Sequence, residues 1–332
     1  MCTSTPKAVL AAVTVLLLSS AANAQTVLKA SHQWPGGKGD PRDEMVQILA
    51  REVKAANVGL DVQVFPAASL FKPKEQWGAL TKGQLDVALF PLDYAAGRHQ
   101  QFSATLMPGL VGNHDRAVRL NDSPFMSEIK KIIEKAGAIV LADSWLSGAF
   151  ASKKGCITGP DSVKGQTFRA AGPAFEQMLA AAGASITSMP SSEIYTGMQT
   201  GVLDAANTSS ESFISYRLFE QVKCLTAPGE NALWFMYEPL LMSKQSFESL
   251  NEAQRKAVRD AGKKAEAYFL EEAKKGDAKM IDVFKKAGVE VIEMSKDDYE
   301  AWKKVAESSA YKKFSEDVKG GDALIKKALE VK

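Results

Sequence analysis

Ala79-Leu80-Thr81-Lys82-Gly83-Gln84-Leu85-Asp86-Val87-Ala88 is echoed by Gly197-Met198-Gln199-Thr200-Gly201-Val202-Leu203-Asp204-Ala205-Ala206. Each stretch reads as the end of a helix, a G-x-L-D-x-A turn and the start of a strand. The glycine permits the left-handed turn out of the helix. Working outward from the first copy, Thr26–Ala30 reads as a strand. Asp40-Pro41 caps a helix whose Met45, Leu49 and Val53 recur at i+4. Leu60, Val62 and Val64 alternate with polar residues as in a half-buried strand. Pro73–Lys82 reads as a helix and Leu85–Phe90 as a strand. Ser123-Pro124 opens a helix ending near Gly137, and Ile139–Ala142 is a strand. Around the second copy the same order returns: strand Gln166–Ala170, helix from Pro173 to Gly183, helix Glu193–Thr200 and strand Leu203–Ala206. Residues 247–287 are largely helical, with Gly262 and Gly276 as possible breaks, followed by a strand at Val289–Ile292. Alternation of this kind predicts an α/β fold with largely parallel strands. The echo predicts two lobes of similar build with a cleft between them, where ligands bind.

The 332 residues are 24% charged with a net charge of +2. That is an ordinary globular composition and argues against a nucleic-acid partner. The one long apolar stretch, Ala8–Leu18, follows Lys7 and precedes Ala22-Asn23-Ala24. This is the pattern of an export signal over residues 1–24, cleaved after Ala24. Export leaves Cys156 and Cys224. In an oxidising compartment they are candidates for a disulfide, the other reading being two buried thiols.

Enzyme motifs are scarce. There is no G-x-S-x-G, H-E-x-x-H or C-x-x-C, and Gly36-Gly37-Lys38-Gly39 lacks the spacing of a phosphate-binding loop. The histidines His32, His99 and His114 have no metal-ligand spacing, and no cofactor is expected. Arg169 ends an apolar strand just before Pro173, which marks a helix start. A guanidinium fork beside free helix N–H groups suits a carboxylate. Asn207, after the second echoed strand, can donate and accept at once. His32 and Trp34 follow the first strand, and Asp93 and Tyr94 follow Leu85–Phe90. Trp145 follows Ile139–Ala142, while Trp234 and Tyr237 lie in a connecting segment.

Three segments carry a family resemblance. Val64-Phe65-Pro66-Ala67 with Ser69-Leu70, Lys164-Gly165-Gln166-Thr167-Phe168-Arg169, and Ser192-Glu193-Ile194-Tyr195 running on to Asp204 resemble signatures of the substrate-binding component of tripartite ATP-independent periplasmic (TRAP) transporters. The resemblance implies a two-lobed periplasmic-binding-protein-like α/β fold with a central cleft and a long helix crossing both lobes. It divides the chain into residues 25–148 plus about 235–275 for one lobe and 149–234 plus about 276–332 for the other. It implies a periplasmic receptor, not an enzyme, that takes an organic acid on Arg169 and Asn207 and delivers it to integral-membrane transporter subunits. Sialic-acid binders of the family carry a second arginine where this chain has Gly148-Ala149-Phe150-Ala151, and an aromatic residue where it has Ser191. Trp34, Phe150 and Trp234 would therefore line an apolar pocket for an aromatic or branched monocarboxylate or 2-oxo acid. The alternatives are a sugar acid, a C4-dicarboxylate, and a secreted hydrolase or isomerase using His32 and Asp93.

Overall fold

The computed structural model describes residues 1–2 and 25–332. The leader expected over residues 1–24 therefore lies, apart from its first two residues, outside the described residues. Among the described residues no helix is long and apolar enough to cross a membrane.

Among the described residues, twelve strands form two sheets: β1 (Thr26–Ser31), β2 (Leu60–Phe65), β3 (Val87–Leu89), β4 (Ala138–Ala142), β5 (Trp145–Ser152), β6 (Thr167–Ala170), β7 (Ser185–Ser188), β8 (Ala205–Ser209), β9 (Cys224–Ala227), β10 (Trp234–Tyr237), β11 (Leu240–Ser243) and β12 (Glu290–Glu293). The first sheet has the order β2-β1-β3-β11-β4, and the second β12-β9-β5-β8-β6-β7 with β10 alongside β5. The expectation of largely parallel strands is corrected. β5 runs antiparallel to β8, β9 and β10, and β11 runs antiparallel to β3 and β4. The chain returns to the first sheet through β11, which is inserted between β3 and β4. β5 and β9–β11 are apolar runs too short or too irregular to show a two-residue period, so periodicity missed them.

The echoed turns have one job in both sheets. Gly83 and Gly201 take φ of 68° and 78°. The aspartate three residues later then accepts a hydrogen bond from the neighbouring strand. Asp86 Oδ2 takes the Lys29 N–H at 2.7 Å, and Asp204 Oδ2 takes the Thr167 N–H at 2.8 Å. In each sheet the same side chain thus ties the strand that follows the turn, β3 or β8, to its parallel neighbour, β1 or β6. The strands themselves start later than expected: β8 covers Ala205–Ser209, so Asn207 sits within a strand and not after one.

The helix Glu252–Lys286 is unbroken over 35 residues and opens with a capping box on Asn251 and Gln254. At about 1.5 Å per residue it is roughly 52 Å long. Gly262 and Gly276 are not breaks, as the sequence suggested, but places of close approach. A Cβ at Gly262 would lie 2.5 Å from the Leu141 carbonyl oxygen of the first sheet. One at Gly276 would lie 2.3 Å from Glu211 Oε1, just beyond β8 of the second. One helix therefore packs against both lobes, and its two glycines set how closely.

Cys156 and Cys224 are joined as a disulfide across a separation of 68 residues, with Cα atoms 5.0 Å apart. It staples the segment after β5 to the start of β9. Closing such a loop constrains the unfolded chain by about 4 kcal/mol in the entropy treatment. The double variant Cys156→Ser, Cys224→Ser is expected to unfold at lower urea, with a loss of about that size. An unchanged urea midpoint would show that the bridge adds nothing.

Candidate functional site

Two buried arginines lie where the lobes meet. Arg169 is on β6, paired across the sheet with Ala206 of β8 and Thr187 of β7. Its Nε donates to the Met189 carbonyl at 2.9 Å and Nη1 to the Asn207 carbonyl at 2.7 Å. Nη2 donates to the Tyr94 hydroxyl at 3.1 Å, from the opposite lobe. The same hydroxyl accepts the Ser191 N–H at 2.9 Å. Arg169 is 1% exposed, yet no carboxylate among the described residues forms an ion pair with it. Three of its five N–H groups are used, so two remain. A buried guanidinium left without a counter-charge is expensive, and a bidentate acid answers it.

Arg42 was not singled out in the sequence. It sits in the first turn of the helix Pro41–Ala55, where a cation opposes the helix dipole. That misplaced charge was the available signal. The structure explains it. Asp40 accepts from Arg42 Nε at 2.9 Å and from Nη2 at 2.8 Å. Nη1 crosses to the other lobe, donating to Ser209 Oγ at 2.9 Å and Ser212 Oγ at 3.0 Å. Glu238 lies 3.5 Å away, and the guanidinium stacks 4.3 Å from the centre of the Trp34 ring. Arg42 thus gives four of its five N–H groups to the protein and ion-pairs with Asp40, whereas Arg169 gives three and pairs with no carboxylate among the described residues.

Around these arginines stand buried polar groups with no hydrogen-bond partner. They include the Asn207 and Gln33 amides, the Trp34 and Trp234 indole N–H groups, both oxygens of Asp93, His32 Nδ1 and one oxygen each of Glu211 and Glu238. Such groups are rare in protein interiors because each forfeits its hydration. Asn207 lies directly opposite Phe150 on the paired strand. Trp234 covers Gly148 so closely that a Cβ there would be 2.4 Å from its ring. Asp93 presses on Gly172 in the loop between β6 and the next helix. A Cβ at Gly172 would fall 1.4 Å from Asp93 Oδ2. Burial pushes the Asp93 carboxyl well above its ordinary range and nearby Glu176 adds to this, while Arg169 only partly offsets it.

Other expected site residues have different partners. His32 Nε2 is 3.0 Å from Asp43, not beside Asp93, and its ring stacks on Trp34. Burial raises the Asp43 carboxyl, but hydrogen bonds from His32 and the Gly37 N–H outweigh it and hold it below its usual value. A His32–Asp93 catalytic pair therefore does not form. Phe150 stacks on Trp302 at 5.8 Å and meets Phe168 and Phe175, so its ring is largely absorbed by the lobe's own core. Trp234 and Tyr237 lie in strand β10, not in a connecting segment as the sequence suggested, and Trp145 opens strand β5; Trp145 and Tyr237 are neighbours. They pack on each other at 4.8 Å, and Trp145 donates to Asn121 while Tyr237 bonds Asp143. Trp145 lines a separate crevice with His114, Asp143 and Glu266. Neither residue bonds to the groups around Arg169.

Two predictions follow from the seam. The carboxyls of Glu211 and Glu238 are pushed up by burial, to about 8 and about 7, with Arg42 offsetting only part of the cost. The folded protein then keeps protons that the unfolded chain releases above about 4.5. Stability should be fullest near that pH and fall as pH rises towards 8, by at most about 1.4 kcal/mol per unit per group. Urea melts between pH 5 and 8 should show this, and Glu211→Gln should flatten the slope. A wild-type slope of the opposite sign would refute it. Gly172→Ala should leave each lobe folded but hold Asp93 off the seam. Small-angle scattering should then report a more open shape than wild type; identical curves would remove the close approach from the argument.

Residues 30–317 match the family DctP, described as bacterial extracellular solute-binding protein, family 7. A solute-binding protein of Albidiferax ferrireducens is 39% identical over 300 residues, covering 89% of each chain. The C4-dicarboxylate-binding periplasmic protein DctP of Rhodobacter capsulatus is 26% identical, covering 84% of each. The crystal structure of a TRAP periplasmic solute-binding protein from Rhodoferax ferrireducens with bound malonate superposes with a TM-score of 0.89. It is 38% identical, over 92% of this chain and 98% of that one.

Proposed function

Because the chain belongs to family 7 of the bacterial extracellular solute-binding proteins, we propose that it is the periplasmic receptor of a TRAP transporter, taking an organic acid between its lobes and handing it to membrane subunits. The observation that carries this is the spare fork of Arg169. Two N–H groups of a buried, otherwise unpaired guanidinium fit one carboxylate in a bidentate grip. The Asn207 amide, within the adjacent strand, supplies a further donor and acceptor. The reading puts the protein in the periplasm, in keeping with Ala22-Asn23-Ala24 and with the disulfide.

The surroundings favour a polar acid over an aromatic one. Of the three rings expected to form an apolar wall, Phe150 stacks within its own lobe, and both indoles keep a buried N–H without a partner. A sugar acid or a C4-dicarboxylate meets those donors with its own oxygens; an aromatic or branched monocarboxylate leaves them bare.

A thermal-shift screen with aromatic, 2-oxo, C4-dicarboxylic and sugar acids tests the reading, since a ligand of the native state raises the melting temperature. A clear shift with one polar acid class is expected. In Arg169→Ala, affinity for that acid should drop by about 2–5 kcal/mol, or roughly thirtyfold to several thousandfold. Undiminished affinity would remove Arg169 from the anchor role.

A further inference from the structure

We propose that Asp93 is a specificity-determining residue that reads a hydrogen-bond donor, a hydroxyl or an ammonium, carried by the ligand beside the carboxylate held by Arg169. The inference rests on the receptor reading above and deepens it.

Asp93 is 2% exposed and neither of its oxygens accepts a hydrogen bond from any described residue. A carboxyl whose task was structural would be capped or paired. The obvious internal partner, Arg169, is near enough for its charge to act on Asp93, yet it makes no ion pair with it. Three N–H groups of Arg169 are committed to Met189, Asn207 and Tyr94. Tyr94 is the next residue after Asp93, and Gly172 is three residues after Arg169. The two groups are thus fastened side by side from opposite lobes: a cation with a free fork and an acid with two free acceptors. Gly172 matters to this arrangement, because any side chain there would occupy the Asp93 carboxylate's own position.

A ligand bearing only a carboxylate would satisfy Arg169 and leave Asp93 buried and bare. A plain dicarboxylate would also bring a second negative charge towards it. A ligand with a donor near its carboxylate satisfies both groups. Leaving a buried acceptor unpaired is how binding sites reject analogues that lack one polar atom. Burial pushes the Asp93 carboxyl up; a hydroxyl can pair with either form of it, as donor or as acceptor, whereas an ammonium favours the ionised form.

Calorimetric titration with matched acids decides the matter. The pairs are propionate and lactate, succinate and malate, succinate and aspartate, and isovalerate and valine, with galactonate as a longer polyhydroxy acid. The protein is first unfolded and refolded to strip carried-over ligand. The expected result is that the donor-bearing member of at least one pair binds about tenfold to a hundredfold tighter than its partner. Asp93→Ala should bring the pair to within about threefold. Asp93→Asn, which keeps an acceptor but no charge, should retain a preference for hydroxyl and lose one for ammonium, and it gives the readout if the alanine variant fails to fold. The proposal is overturned if acids bind in an Arg169-dependent way but the paired acids bind equally. It is also overturned if the discrimination survives in Asp93→Ala. Should no acid of any class bind, the receptor reading itself fails, and this inference with it.

Discussion

A guanidinium buried between two lobes is costly unless hydrogen bonds and counter-charges answer it, and the seam of this protein is organised around that requirement. Arg42 leaves the first lobe and ends on Ser209 and Ser212 of the second. Its charge is tolerated in the interior because Asp40 grips it at two atoms, Glu238 stands behind it and Trp34 lies under it. Taking charges out of water costs several kcal/mol per ion unless geometry and hydrogen bonds make up the loss. Here the compensating groups come from both sheets, so the arrangement is complete only when the lobes are together. The seam also concentrates three acids, Asp40, Glu211 and Glu238, around the one cation. Two of them hold protons well above the usual carboxylate range, so the cluster does not accumulate negative charge.

The topology serves this seam. β11 carries the chain back into the first sheet from the second, directly after Glu238. The helix Glu252–Lys286 then lies against both lobes, with backbone and carboxylate pressed on its two glycines. The chain therefore crosses between lobes several times, and no lobe is a continuous stretch of sequence. A seam built in this way can be held in register by backbone connections, leaving the side chains at its centre free for recognition.

What the sequence revealed and what it hid divide along physical lines. The echo around Gly83 and Gly201 was legible because a positive-φ turn needs glycine and because one aspartate ties each neighbouring strand. Arg169 was legible as a candidate because a lone cation at the end of an apolar strand is chemically conspicuous, and the structure buries it between the lobes. Asn207 was found, but its strand was displaced by two residues, since Leu203-Asp204 looks like strand while serving as the turn. The mixed sheet was hidden, because β5, β9, β10 and β11 are buried on both faces and so lose the alternation that marks a strand. Trp145 and Tyr237 were drawn into the site by their type alone. Aromatic rings pack equally well beside any strand, and only partners such as Asn121 and Asp143 show where they belong. Arg42 was the opposite case, a functional-looking charge hidden inside an ordinary amphipathic helix.

On the proposed reading, the two arginines divide the work of a closing cleft. Arg42 spends its donors on the protein, which makes its contribution to closure independent of what is bound. Arg169 is fastened on one side by its own lobe, through Met189 and Asn207, and on the other by Tyr94 of the opposite lobe. Its free fork is therefore held in one orientation only while Tyr94 is in reach. A ligand carboxylate that meets the fork finds it already aligned in the closed form and loosely held in any open one. Differential affinity of that kind is what a ligand needs to shift a population of conformers. Recognition and closure are then one event, joined through a single phenol hydroxyl, and the acid beside it decides which carboxylates can complete the joint.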